Sequence, residues 1–143
     1  MTMLRLGFLP SDFNPMLLML GEAEDLRALA GVLRHFAREG GSVALDELAF
    51  CAAWRTRVTL SDAGKAAGQP PGLHSLDDTG CFVWRLDAIR AAAFAELVEA
   101  LAAPGQVAGS EMLECGIEEE IPVKVSRGEY TDDFLSVGAA SSA

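Results

Sequence analysis

Apolar and polar positions along the chain repeat with a spacing of 65. A short apolar run, Leu17-Leu18-Met19-Leu20, leads into a helical stretch at 22–38, a glycine break at Gly40-Gly41 and two strand-like runs. Sixty-five positions on, Phe82-Val83-Trp84-Arg85 leads into a helical stretch at 87–102, a break at Gly105 and two more strand-like runs. The matched positions keep register: Leu29 falls on Phe94, Leu33 on Val98, Phe36 on Leu101, Leu48 on Leu113 and Val58 on Val123. The pattern predicts an α+β fold, a mostly antiparallel sheet with two helices on one face, built from duplicated β-α-β-β units. The halves span about 16–62 and 81–127 of a domain covering 1–135, with a frayed Ser/Gly/Ala tail at 136–143.

The periodicity assigns faces within each element. Residues 4–9 read as a leading strand and 11–15 as a turn. Residues 16–20 are apolar without alternation, as expected of a strand covered on both sides. In the first helix Leu26, Leu29, Ala30, Leu33, Phe36 and Ala37 recur in steps of three and four, an inward stripe. Glu22, Glu24 and Asp25 in its first turn suit the helix dipole. Residues 43–50 and 54–60 read as two strands. The second alternates Trp54, Thr56, Val58 and Leu60 with Arg55, Arg57 and Thr59, which predicts a basic outer row. The Gly/Pro-rich stretch 62–79 reads as a linker. Asp87 is suited to cap the second helix, whose inward stripe is predicted as Ile89, Ala93, Phe94, Leu97, Val98 and Leu101. Residues 111–115 and 121–126 are the last strands. Pro122 lacks an amide proton, which predicts an edge position.

Composition narrows the role. The chain has 143 residues, half of them apolar, enough to bury a real core. The longest apolar run near the start is far too short to span a bilayer, and no signal peptide is expected from a single Arg without an extended apolar run. Three cysteines, Cys51, Cys81 and Cys115, form no C-x-x-C pair and lie in apolar runs, which fits reduced, buried thiols and a cytoplasmic protein. The net charge is −10, from 21 acids and 11 bases. Between Glu111 and Asp133 eight acids face only Lys124 and Arg127. Such a charge disfavours nucleic acid and anionic lipid and suits a basic protein partner.

Catalytic and cofactor signatures are not found. The sequence has no G-x-G-x-x-G and no P-loop pattern. Its two histidines, His35 on a helix and His74 in the linker beside Asp77 and Asp78, do not make a pre-organised metal set. Neither His74-Ser75-Asp77 nor any cysteine–histidine pair is placed as a catalytic set by adjacency in sequence. No catalytic residue, metal or cofactor is therefore assigned.

Two binding surfaces are expected instead. Glu111, Glu114, Glu118, Glu119 and Glu120 make an acidic end, with the last three at a hairpin tip. Hydrated carboxylates there would steer the arginines and lysines of a partner. Trp54, Arg57, Trp84 and Arg85 are the candidates for a ligand groove between the halves, with guanidinium groups beside aromatic rings. The expected function is a non-catalytic acidic cytosolic interaction domain, of the inhibitor or immunity type, masking a basic protein. The alternative is a small-molecule-binding domain with its groove between the halves. A homodimer through an edge strand is compatible with both.

The twice-used strand-helix-strand-strand unit resembles, over about 16–127, the architecture of gyrase-inhibitor-like and haem-binding SOUL domains. That resemblance implies a small-molecule groove between the copies. It is one of topology, and no binding residue carries over with it. The glyoxalase-like fold duplicates a unit with one more strand, and its metal-ligand pattern is not met by two histidines.

Overall fold

The computed structural model describes residues 3–10, 15–62, 69–76, 80–105 and 107–128. Among the described residues nine strands and two helices follow one another as β1 (Leu4–Leu9), β2 (Met16–Leu20), α1 (Ala23–Glu39), β3 (Ser42–Ala44), β4 (Cys51–Trp54), β5 (Arg57–Asp62), β6 (Gly72–Ser75), β7 (Cys81–Leu86), α2 (Ala88–Leu101), β8 (Gly109–Leu113) and β9 (Val123–Arg127). They form an α+β fold with two mixed sheets, ordered β4-β1-β2-β9-β8 and β3-β5-β7-β6. The expected single sheet is corrected to two, and each mixes antiparallel with parallel pairs. β1 with β4, β2 with β9 and β5 with β7 run parallel.

One residue explains much of the division. Arg55 has φ 53, the left-handed region that side chains with a Cβ seldom adopt. The run 54–60 is therefore cut. β4 ends at Trp54 and joins the five-stranded sheet, while β5 starts at Arg57 in the four-stranded one. Beyond the cut the expected alternation holds: Thr56, Val58 and Leu60 are buried and Arg55 and Arg57 exposed. The run 43–50 is short strand β3 followed by a 3-10 turn, Leu45–Glu47. The stretch taken as a linker contains β6, paired antiparallel with β7.

Pro122 does not mark an edge. β9 lies between β2 and β8, and Pro122 immediately precedes it. Its carbonyl accepts the Leu17 amide at 3.0 Å. The position uses the proline's acceptor and does not need its missing donor. The edges are β4, β8, β3 and β6.

The helices begin as their caps dictate. The Glu22 amide donates to Asp25 Oδ2 at 2.9 Å, and Asp25 is buried. Asp87 Oδ1 accepts the Arg90 amide at 2.7 Å, the expected N-cap. Gly40 ends α1 with φ 69, its amide donating to Phe36 O at 2.8 Å. Arg27 Nη2 donates to Ala102 O at 2.9 Å and Arg127 Nη1 to Leu101 O at 2.8 Å, so two guanidinium groups cover the carbonyl end of α2.

Both sheets and both helices share one apolar core, from Leu4 and Leu17 through Leu29, Leu60 and Trp84 to Val98 and Val125. α2 touches β7 of one sheet and β8 and β9 of the other. Phe8 and Phe82, one from each sheet, meet at 4.8 Å between ring centroids. Trp84 is fully buried and stacks on Phe94 at 6.0 Å. The strand β2 is buried on both faces as expected. Leu17 and Met19 enter the main core, while Leu18 and Leu20 form a second cluster with Leu9.

The inward stripe of α1 is the predicted one, except that Ala37 is only partly buried. That of α2 is not. Ala91, Phe94, Ala95, Val98 and Leu101 are buried, whereas Ile89 and Leu97 face outward. α2 is apolar around most of its circumference, so periodicity does not select a face.

The pairing registers carry a further regularity. Leu17 pairs with Val123 and Met19 with Val125; Phe82 pairs with Val58 and Trp84 with Leu60. Moving β2 forward by 65 and β9 back by 65 turns the first pairs into the second. The helices, starting at Ala23 and Ala88, keep the same spacing.

The face assignment of α2 is open to a direct check. Phe94→Ala should cost about 3–5 kcal/mol of stability, whereas Ile89→Ala should change it by no more than about 0.5 kcal/mol. Urea unfolding followed by circular dichroism measures both.

Candidate functional site

The expected acidic end splits into parts with different roles. Glu111 lies on β8 opposite Val125, in the half-buried row that continues to Leu113. Glu114, Glu118 and Glu119 lie exposed in the connection from β8 to β9. Glu120 is turned inward. Its carboxylate accepts the amides of Cys115 at 2.7 Å, Gly116 at 2.9 Å and Ile117 at 3.4 Å. A carboxylate gathering consecutive amides fixes the connection much as an N-cap fixes a helix. The expectation that all three adjacent acids stay hydrated is therefore corrected for Glu120.

Two further contacts hold this connection in place. The Ile121 amide donates to Leu73 O at 2.9 Å, joining it to β6 of the other sheet. Gly72, with φ 97, lies beside the Glu120 side chain, where an added Cβ would sit 2.4 Å from the carboxylate. The positive φ favours glycine there, and any added side chain would also push the Glu120 carboxylate from its place.

Elsewhere the acids are committed. Arg34 is held in a fork by Glu99, at 2.9 and 2.8 Å, and also reaches Glu96 at 3.0 Å. Its guanidinium pulls the Glu99 carboxyl below its ordinary value through the hydrogen bonds first and the charge second. Glu111, Glu114, Glu118 and Glu119 have no ion pair among the described residues. The uncommitted negative charge at the β8–β9 end is accordingly less screened by fixed partners than that on α2.

Of the residues expected to line a groove, Trp84 and Arg57 face different surroundings. Trp84 points into the core, with its indole N–H buried and without a partner. Arg85, next to it on β7, has the opposite strand parity. The side chain of Trp54 lies outside the described residues. Arg57 belongs to a different constellation. It lines an open cleft of about 680 Å³ together with Asp46, Ala53, Arg55, Thr56 and Cys81. Sequence reading put Arg55 and Arg57 in one basic row. It missed Asp46, Ala53, Thr56 and Cys81, because nothing in the letters announces a left-handed arginine.

Cys51 and Cys115 are poorly suited to nucleophilic chemistry. Burial, reinforced by Asp25 and Asp46, pushes the Cys51 thiol up to about 12. Burial, reinforced by Glu120, does the same to Cys115, also to about 12. Such thiols are poor nucleophiles near neutral pH. His35 is exposed on α1, and His74 Nε2 lies 2.8 Å from Pro71 O. Among the described residues no group of three or more His, Cys, Asp or Glu side chains is arranged to hold a metal ion, and no helix is long and apolar enough to cross a membrane. Asp77 and Asp78, the acids beside His74 in the sequence, lie outside the described residues, as does the tail at 136–143.

Comparisons with protein-family models, with curated proteins and with solved structures find no match to this chain. The resemblance to gyrase-inhibitor-like and SOUL domains therefore gains no support from solved structures.

Two outcomes are expected. Glu120→Ala should cost about 1 kcal/mol, since the amides that lose their acceptor are part-buried or exposed and water replaces part of what is lost. It should also speed hydrogen exchange at Cys115, Gly116 and Ile117, measured by NMR or mass spectrometry. For Cys51 and Cys115 the folded values of about 12 exceed the ordinary 9.0. The unfolded chain thus binds fewer protons in that interval, and stability falls as pH rises. The contribution is whole below about pH 9 and lost towards about pH 12. Urea unfolding at about pH 8 and about pH 10.5 should show the fall, and a C51A/C115A variant should show less of it.

Proposed function

We propose that this protein is a non-catalytic interaction domain that docks a basic protein partner on the acidic connection between β8 and β9. The observation that carries the reading is the division of labour among adjacent acids. Glu120 spends its charge on backbone amides, and the loop so fixed leaves Glu114, Glu118 and Glu119 exposed. A fixed acidic loop loses less conformational entropy on docking than a mobile one. It also supplies long-range attraction for arginines and lysines, which raises the association rate at low salt. An inhibitor or immunity-type role, covering the basic surface of another protein, is the concrete form of this reading. The raised thiols of Cys51 and Cys115 favour binding over nucleophilic chemistry.

The same reading takes the chain as two β-α-β-β copies that have exchanged their final strands. The supporting observations are the shared 65-residue spacing and the matched registers of β2 with β9 and β7 with β5. In that arrangement the β8–β9 connection, tied through Ile121 to β6, stands where the exchanged strands of one copy meet the first strands of the other. The second copy's loop is acidic, and the corresponding passage of the first, around Arg55, is basic. The copies would thus have diverged in charge at equivalent places.

An arginine-rich peptide is a suitable probe. Isothermal titration should show binding to the native protein that weakens steeply with salt. E114K/E118K/E119K should lose at least about tenfold in affinity, roughly the effect of removing 1.4 kcal/mol of interaction. Equal binding by the parent and the variant, at low salt and with unchanged stability, would defeat the proposal.

A further inference from the structure

We propose that the cleft at the β4–β5 break binds a small anionic molecule through its carboxylate or phosphate oxygens, held between the guanidinium groups of Arg55 and Arg57. The cleft is separate from the acidic loop and shares none of its residues.

The cleft is lined by Asp46, Ala53, Arg55, Thr56, Arg57 and Cys81 and encloses about 680 Å³. That volume lies in the range of small-molecule sites. Its walls come from β4, the 3-10 turn before it, β5 and the start of β7, so it opens where the two sheets part.

The backbone here is arranged with care. Arg55 holds φ 53, an uncommon conformation for a residue with a long side chain. Such conformations persist when the surroundings over-determine them and are concentrated at functional sites. The surroundings can be named. The Arg57 amide donates to Gly80 O at 2.8 Å. An added Cβ on Gly80 would stand 2.5 Å from Arg55 O, so β7 begins in direct contact with the Arg55 turn. Thr56, between the two arginines, is 5% exposed and anchors the turn in the core.

Charge gives the ligand class. Both arginines are exposed, and neither guanidinium group has an ion pair or a hydrogen bond among the described residues. In a chain with 21 acids and 11 bases, two uncommitted guanidinium groups on one cleft are set apart from the prevailing charge. Among the described lining residues the acid is Asp46, whose Oδ1 accepts the Val58 amide at 2.9 Å. Guanidinium groups present planar, paired donors that match carboxylate and phosphate oxygens, and they are more weakly hydrated than ammonium groups. The surrounding negative charge favours a compact anion over a polyanion such as nucleic acid, whose backbone the rest of the surface repels.

Cys81 supplies an internal reporter, because it lines the same cleft. The test titrates the full-length protein with inorganic phosphate and, separately, with citrate, by isothermal calorimetry. Alkylation of Cys81 by iodoacetamide is followed in parallel by mass spectrometry. At least one anion is expected to bind and to slow alkylation of Cys81. Arg57→Gln and Arg55→Gly should each weaken binding at least about tenfold. Glycine at 55 keeps the left-handed backbone available, so that variant removes the guanidinium without forcing the turn to change. Thermal unfolding confirms that both variants remain folded. E118K/E119K should bind the anion as the parent does, which separates this site from the acidic loop. Absence of binding by both anions would overturn the proposal. So would binding that both arginine variants retain, or binding that leaves Cys81 alkylation unchanged. Tighter binding of an oligonucleotide than of either small anion would instead assign the cleft to a nucleic-acid backbone and overturn the proposal as stated.

Discussion

The parallel pairing of β2 with β9, and of β5 with β7, is the constraint on which the architecture rests. Each sheet has at its centre a strand from the first half of the chain beside a strand from the second. Neither sheet is complete from one half. The core inherits this dependence, since Trp84 stacks on α2 while its strand lies against Leu60 of β5. Such pairing closes long loops before it returns any hydrogen bonds, which favours slow, all-or-none assembly. It also explains why the buried residues form one main cluster rather than a core for each helix.

Electrostatics divides the surface in a similarly ordered way. Arg34 gathers Glu96 and Glu99, and Arg90 pairs with Asp87, so α2 and its neighbour on α1 spend much of their charge on one another. Exposed pairs of this kind contribute little stability and are screened by salt. Their larger effect is on what remains. The acids beyond β8 and the arginines beside the Thr56 turn are left without such partners, one group negative and the other positive. A protein of strongly negative total charge thus carries two local fields of opposite sign.

The helices were legible in the sequence because their signals are local. Asp87 caps α2 through its own carboxylate, and Gly40 ends α1 through its own backbone freedom. The apolar stripe of α1 was legible because polar residues frame it. That of α2 was not, since Ile89, Ala92 and Ala93 are as apolar as the residues that are buried. Strands were legible as runs but not as partners. β6 hides in a stretch rich in glycine and proline, and its pairing with β7 is decided by Leu73 reaching the core. The break at Arg55 is invisible to propensity, because tertiary contact from Gly80 holds a conformation that arginine does not choose alone. For the same reason, among the expected groove residues whose side chains are described, only Arg57 lies in the cleft. A cleft formed where two sheets diverge cannot be read from alternation along either one.

The backbone bridge between Leu73 and Ile121 couples the last connection of one sheet to the edge of the other. A load applied at that connection does not simply peel a hairpin away. It is shared between two sheets through the Ile121–Leu73 bond, as a brace shares load at a joint.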